Sequence, residues 1–386
     1  MLNGKNKKIE NRVNTQLVEY KNQLKAISML RMVVPSSIRS GATSKTSSRS
    51  FSQRMPHASM MGFSCVIQSS DGDKMGLYRQ VTVASSITSY GNSAFFKQEL
   101  LNDPKVIKPS EIKSLSETLD MYMVMVNGSI VGYVKDSFTM IDKYTQLRRA
   151  CKIYTEVSIE WDTNRRLVQF WLDFGRQIRP VLIVYNNVRD WKKLGLKAPP
   201  SAKNEKKEFK QGIAVTPEIL KKIYNREYKI IDLLKLGVIE YLTPPEQQRM
   251  LVSCSIENLQ NRANDIFTQY THCDVPENLL GVAALVSPLA NYNQTTRNTY
   301  QGAQALQTGG IYSSVWPYRI DKNTFIQYRI TNPLVTTKIN RYIRPNGHMS
   351  IIAIMCQDGY NIEDGIVFNK QVGESGMFNG SSFGFT

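Results

Sequence analysis

The dipeptide Asn127-Gly128 lies between two apolar runs, Met121 to Val126 and Ile130 to Val134, and no other feature of this sequence restricts its fold so tightly. A type I′ turn requires positive φ at both central residues, and asparagine followed by glycine meets that at low steric cost, so a β-hairpin is expected. A second hairpin is expected around Asp162 to Arg165, between Tyr154 to Trp161 and Leu167 to Leu172. Ser137 to Ala150 reads as a helix between them, and Val181 to Tyr185 as a buried strand. Short helices alternating with short strands describe a small α+β unit.

Turn and cap chemistry extends this pattern along the chain. The Lys-, Pro- and Ala-rich stretch Lys192 to Lys210 breaks all periodicity and marks a loop or boundary. Thr216-Pro217 begins a helix with a capping hydroxyl and a proline in the first turn, and Gly237 stops the next one. Thr243-Pro244-Pro245-Glu246 has capping-box spacing. A second small α+β unit follows from these signals. Beyond it, helices are expected at Pro276 to Val286 and Arg297 to Leu306, and a buried apolar strand at Ile351 to Cys356 leads into Gly359-Tyr360-Asn361. At the other end Ile9, Val13, Leu17, Tyr20, Leu24 and Ile27 recur at helical spacing, on a face that needs either this chain's own core or another subunit. Ser36 to Ser52 reads as a linker. The fold class expected is multidomain α+β, with two to four compact units in 386 residues.

Charge and cysteine usage limit the function. There are 49 Lys and Arg against 32 Asp and Glu, a formal net charge of +17, which suits phosphate backbones or acidic protein surfaces. The excess gathers in residues 1 to 54, with eleven cations against two acids, and in Arg189 to Lys210, with eight against three. Solvated basic stretches and direct nucleic-acid contact are both consistent with that distribution. Five scattered cysteines without a CxxC spacing and three unpaired histidines argue against zinc or a disulfide framework. No apolar run approaches the length of a membrane span, so a soluble protein of a reducing compartment, with no membrane partner, is expected.

Three segments carry candidate chemistry. In Asn293 to Gln301, Thr295 or Thr296 is placed to cap a helix, which puts Arg297 in a first turn where free amides and a guanidinium would converge on a phosphate. A surface arginine paired with a carboxylate fits the same local pattern. In Gln357 to Gly365, Glu363 and Asp364 follow the expected strand and could offer oxygen ligands to a divalent cation, though a complete site needs ligands from elsewhere, and taken by itself the pair reads as solvated surface. Thr271-His272-Cys273-Asp274 holds a thiol beside a histidine, but a nucleophile and its base normally meet from separate elements, which counts against a cysteine hydrolase.

Taken in order, Thr271-His272-Cys273-Asp274, Asn293-Gln294 with Arg297-Asn298-Thr299-Tyr300-Gln301, and Gly359-Tyr360-Asn361 with Glu363-Asp364 resemble the second-largest, β-type subunit of multisubunit DNA-directed RNA polymerases. The form of the second segment resembles the archaeal, eukaryotic and large-DNA-virus branch. Arg54, His57, Ser59, Gly62 and Cys65 are similar to that family's fork segment, Val126-Asn127-Gly128 and Asp173 to Pro180 to its first external domain, and Leu233-Leu234 with Gly237 to Tyr241 to its second. Residues 1–53 read from their own spacing and composition as a basic helix and linker, and the resemblance, which begins at about Arg54, implies a fork-like segment over 54–115, external-like domains over 116–188 and 189–262, and the start of a hybrid-binding domain over 263–386.

The same resemblance implies roles. Arg297 would contact the incoming nucleoside triphosphate; Glu363 and Asp364 would lie near a second, nucleotide-carried metal; Gln301 and Gln307 would line the RNA:DNA hybrid; Arg54 would contact nucleic acid. The principal Mg2+ would belong to the largest subunit. Implied partners are that subunit, the remaining part of the β-type subunit, DNA template, RNA and nucleoside triphosphates, and the isolated chain would be inactive. Met60 and Met61 depart from the family's fork pattern, as do Val66 to Gly72, and Leu306 stands where nuclear relatives carry lysine. The family's chains are much longer, so a split-gene product or a truncated copy is expected. The rival readings are a non-catalytic remnant that binds nucleic acid or polymerase partners, and a free-standing hydrolase.

Overall fold

The structure, a computed structural model, describes residues 31–33, 54–70, 72–185, 212–261, 269–308, 310–311, 323–343 and 347–384. The helix expected over Ile9 to Ile27, the linker Ser36 to Ser52 and the loop Lys192 to Lys210 lie outside these residues. In chain order the strands and helices are β1 (Arg31–Val33), β2 (Ser64–Ser69), β3 (Tyr78–Val81), β4 (Ser86–Ile87), α1 (Ser93–Leu101), β5 (Tyr122–Val126), β6 (Ser129–Val134), α2 (Ser137–Arg149), β7 (Ser158–Asp162), β8 (Leu167–Trp171) and β9 (Gln177–Tyr185). They continue as β10 (Gly212–Ile213), α3 (Pro217–Tyr224), α4 (Ile230–Lys235), β11 (Ile239–Leu242), α5 (Pro244–Gln247), β12 (Val252–Ser253), α6 (Ile256–Asn261) and β13 (His272–Cys273). The last are α7 (Val282–Val286), α8 (Thr295–Gln307), β14 (Gly310–Ile311), β15 (Asn323–Gln327), α9 (Lys370–Glu374) and β16 (Gly380–Gly384). Mixed α+β is therefore the fold class, as expected.

Two compact units result, one of residues 57–64 and 82–279, the other of 1–56, 65–81 and 280–386. The first holds two sheets. One has the order β6-β5-β8-β7, with β5 and β8 parallel and both flanking pairs antiparallel. Asn127 (φ 47°) and Gly128 (φ 77°) make the hairpin turn that the sequence specifies. The Asn127 side chain also accepts a hydrogen bond from Leu172 N at 2.8 Å, tying the turn to the end of β8. Phe96 and Leu100 of α1 and Met140 and Tyr144 of α2 pack on Val124, Val126, Val168 and Phe170 of the sheet. Each such buried apolar side chain stabilises by about 1.5–3 kcal/mol before entropy is charged against it.

The second sheet is organised by β9. Along nine residues it pairs antiparallel with β4, β11, β13 and β10, so the strand read as Val181 to Tyr185 begins four residues earlier and binds segments from 86 to 273. A strand buried on both faces needs apolar or paired side chains pointing either way, and β9 meets that with Ile178, Val181, Ile183 and Val184, and with the paired Arg179. Helices α3 and α4 pack over it through Ile219 and Leu234. Thr216 caps α3 by accepting from Ile219 N at 3.3 Å, Gly237 at φ 66° follows α4, and Thr243 with Glu246 forms the capping box at α5, all as the sequence indicates.

The other unit contains the sheets β1-β3-β2 and β14-β15-β16. Helix α8 is pinned to β2 by the Thr299 hydroxyl, which donates to Ile67 O at 2.7 Å. Two expectations are corrected here. Pro276 to Val286 is a 3-10 turn, Pro276–Leu279, followed by the separate short helix α7. Ile351 to Cys356 is not a buried strand: it has no regular pairing among the described residues, and Ile351 and Ile354 are fully exposed. Apolar side chains without alternation fit a strand covered on both faces, but no described element lies over these. Among the described residues no helix is long and apolar enough to cross a membrane.

Candidate functional site

All six residues singled out for chemistry, Arg54, Arg297, Gln301, Gln307, Glu363 and Asp364, fall in the unit that contains α8. Helix α8 begins one residue before the threonine caps expected from sequence. Gln294 is its N-cap, without a side-chain capping bond, and Thr295 and Thr296 lie inside the first turn. Arg297 is consequently the third helical residue and is exposed. Among the described residues no carboxylate lies within ion-pair distance of it, so the reading as a paired surface arginine finds no partner there.

The rest of the motif explains how that arginine is presented. Asn298 is buried and donates to Ala290 O at 2.7 Å, while Thr299 holds β2 as above. Gly302, also buried, continues the inward face. With 3.6 residues per turn, Arg297, Gln301, Gln304 and Thr308 then share the opposite, exposed stripe, with Tyr300 and Gln307 at its edge. Four or five polar side chains on one open helix face, headed by a guanidinium in the first turn, form a surface suited to phosphate and to hydrogen bonding along a polyanion.

Glu363 and Asp364 occupy a separate turn. Asn361 shapes it: its amide oxygen accepts from Gln357 N at 3.0 Å and its amide nitrogen donates to Met355 O at 2.5 Å. Asp358, Gly359, Glu363 and Asp364 all have positive φ, at 46°, 79°, 54° and 68°. Left-handed backbone at consecutive non-glycine residues is costly and persists where the surroundings impose it. The two carboxylates are exposed, and among the described residues no group of three His, Cys, Asp or Glu is arranged to hold a metal. Their hard oxygen donors fit Mg2+ chemically, but two adjacent acids supply only part of an octahedral set. Arg54 is half-buried and donates from Nη1 to Met75 O at 2.8 Å, which ties it to the 72–77 loop.

The remaining family-like motifs are internal. His272 is fully buried, with Nε2 2.6 Å from Glu240 Oε1 and Nδ1 2.9 Å from the Thr271 hydroxyl. Burial lowers its pKa and outweighs the neighbouring Glu240, which favours the neutral ring. Burial would favour neutral Glu240, but Arg149 and Arg148 hold its carboxyl well below the usual range. Arg148 also reaches Glu246 at 2.6 Å, and Glu246 in turn accepts from Ile159 N at 3.0 Å. Burial pushes the Cys273 thiol up to about 11, the reverse of what a nucleophilic thiolate requires, in agreement with the argument against a cysteine hydrolase.

Asp274 meets Arg179 of β9 at 2.6 Å, and both are buried. The Arg179 guanidinium stacks 5.3 Å from the Phe63 ring centroid, and its Nε donates to Gln247 Oε1 at 2.8 Å. Gln247 passes the contact on by donating to Met61 O at 2.9 Å. Gly62 (φ 80°) lies so close that a Cβ there would sit 2.4 Å from Arg179 Cζ. Sequence reasoning did not find this cluster, because its members lie 68 and 95 residues apart. The only sequence signal was charge inside otherwise strand-like apolar runs, at Arg179 and Glu240.

Comparison with known proteins supplies a family. Family models for RNA polymerase Rpb2 match this chain at domain 3 over residues 16–87, domain 4 over 124–185 and domain 6 over 283–384. Among curated proteins, DNA-directed RNA polymerase II subunit RPB2 of Encephalitozoon cuniculi is 30% identical over 84% of this chain and 27% of its own length. DNA-directed RNA polymerase II subunit 2 of Arabidopsis thaliana is 28% identical over 86% of this chain and 27% of itself. DNA-directed RNA polymerase subunit Rpo2 of Sulfolobus acidocaldarius is 28% identical over 96% of this chain and 31% of itself. The chain thus spans between a quarter and a third of the length of these relatives.

Proposed function

Because the chain belongs to the family of second-largest, Rpb2-type subunits of DNA-directed RNA polymerase, we propose that it contributes to transcription by positioning nucleotide and RNA:DNA hybrid beside a catalytic centre held by the largest subunit. The observation that carries this reading is the exposed stripe of α8. Asn298 and Thr299 anchor the helix, and Arg297, Gln301 and Gln307 are left open to a partner. Arg297 offers a planar fork for phosphate oxygens, and Gln301 and Gln307 offer amides that donate or accept along a backbone. Glu363 and Asp364 would orient towards a metal delivered with the nucleotide, which supplies charge neutralisation during phosphoryl transfer. Arg54 acts more indirectly, by fixing the loop 72–77. Partners in this reading are the largest subunit, the remaining part of the Rpb2-type subunit, DNA and RNA.

The test is reconstitution with a largest subunit and the complementary portion of the β-type subunit, followed by templated RNA synthesis. Arg297→Ala is expected to raise the nucleotide concentration needed for half-maximal incorporation by roughly tenfold or more, the worth of one charge-assisted contact. Asp364→Ala is expected to impair synthesis while leaving assembly intact. Unchanged incorporation by Arg297→Ala at limiting nucleotide would defeat the assignment, and an assembled but inert wild-type complex would mean that the fold is kept without the activity.

A further inference from the structure

The helical hairpin formed by α3 and α4 exposes more apolar surface than its own core covers. Ile219 is buried against β9, but Leu220 and Tyr224, four residues apart on one face of α3, are 55% and 88% exposed. Helix α4 opens with Ile230 and Ile231, exposed by 55% and 46%. The connection between the helices folds back on α3, since Lys222 Nζ lies 3.2 Å from the Tyr228 hydroxyl and 5.0 Å from its ring centroid. Single exposed leucines are ordinary, whereas four large apolar side chains left exposed on one short hairpin ask for an occupant.

Charge narrows the occupant. Over the whole hairpin, residues 217 to 235, five exposed cations (Lys221, Lys222, Arg226, Lys229 and Lys235) stand against three carboxylates (Glu218, Glu227 and Asp232), and the excess gathers in 220–231, where Glu227 is the one acid. We propose that this hairpin docks an acidic polypeptide segment with apolar anchors, whose side chains cover Leu220, Tyr224 and Ile230 while its carboxylates face the surrounding cations. Segments of this chain outside the described residues fit poorly, because 1–30 and 186–211 are themselves basic. A second copy fits poorly too, since an isologous pairing would set four cations against four. Nucleic acid would use the cations and would stack on Tyr224, but it meets leucine and isoleucine chiefly as wedges that unstack its bases at an energetic cost, so Leu220, Ile230 and Ile231 suit a polypeptide better.

The experiment uses the full chain and a fluorescein-labelled 18-residue helical peptide with leucine at positions i, i+3, i+4 and i+7 and glutamate on the flanks. A matched peptide with lysine in place of glutamate is the control. Anisotropy is expected to show binding of the glutamate peptide alone. Leu220→Asp with Tyr224→Asp, both on exposed side chains, is expected to weaken it by about tenfold or more. Lys221→Glu with Arg226→Glu is expected to weaken it several-fold and flatten its salt dependence. Circular dichroism checks that both variants fold, and the pair Leu220→Ser and Tyr224→Ser is read if the aspartates do not. Equal binding of the lysine peptide, no binding of either, or unchanged binding by the apolar variants would overturn the proposal. It would also fall if an RNA duplex displaced the peptide, or if sedimentation showed a dimer lost in the same variants.

Discussion

Asp274→Ala isolates the buried pair that joins β13 to β9. The Arg179 guanidinium is 1% exposed, and the substitution leaves it the Gln247 hydrogen bond and the Phe63 ring but no carboxylate. Removing one partner of a buried ion pair typically costs about 3–5 kcal/mol, because the other charge stays desolvated. In a unit of roughly 200 residues each kcal/mol lowers the midpoint by about 2–4 °C, so a fall of roughly 6–20 °C is expected. Two compact units need not unfold together, so calorimetry should be paired with hydrogen exchange at β9 and β13 amides, where protection should fall by the same free energy. Asp274→Asn should cost less, since its amide oxygen still accepts and it stays isosteric beside Val275 N. The double variant Arg179→Met with Asp274→Leu should recover much of the loss, because an apolar pair carries no stranded charge. If Asp274→Ala cost under about 1 kcal/mol, or if the double variant were no more stable than the single one, the pair would not be buried as described.

Three further outcomes follow from the same geometry. Gly62→Ala should destabilise the unit by about 2 kcal/mol or more, since the added Cβ meets both a left-handed backbone and the Arg179 guanidinium; denaturant titration reads it, and a neutral result would contradict the close approach. His272 has a folded pKa below its unfolded value, so protonation favours the unfolded chain and stability should fall as pH drops below about 6.5. Glu240, also depressed, contributes in the same direction but only in more acidic solution, as pH falls from its unfolded value through the folded one. His272→Gln should flatten the change between neutrality and pH 5.5 in a series of thermal midpoints. Asn361→Ala removes two hydrogen bonds, worth about 1 kcal/mol each, and should speed proteolysis at Gly359 while leaving exchange in β9 unaltered.

Local chemistry in the sequence was legible where the signal was local. Asn127-Gly128, Thr216-Pro217, Gly237 and the Thr243 to Glu246 box each specified a turn or cap that the backbone adopts. The helix around Arg297 was placed within two residues, although its cap fell on Gln294, since an N-cap depends on backbone geometry that Thr295 and Gln294 can each satisfy. The Ile351 to Cys356 strand failed because an apolar run reports only that a segment is suited to burial, and among the described residues nothing pairs with it or covers it. The Arg179, Asp274 and Gln247 cluster was invisible for another reason: pairing across 68 to 95 residues leaves no periodicity to read. At the candidate site the residues were legible through family resemblance, but their presentation was not. Asn298 and Thr299 look like part of a binding motif in sequence and serve in the fold as the bolts that free Arg297.

The 95-residue separation of Arg179 and Asp274 also has a meaning in time. At about 5–20 residues per second, a ribosome that has just made β9 needs roughly 5–20 s more to supply the carboxylate. Until then closure of β9 would bury Arg179 without its carboxylate, at a cost of several kcal/mol, so closure is expected to follow the arrival of β13. A chain that ends between Arg179 and Asp274 keeps the guanidinium of β9 without its carboxylate, and is expected to be cleaved by protease at β9 faster than one that runs past Asp274.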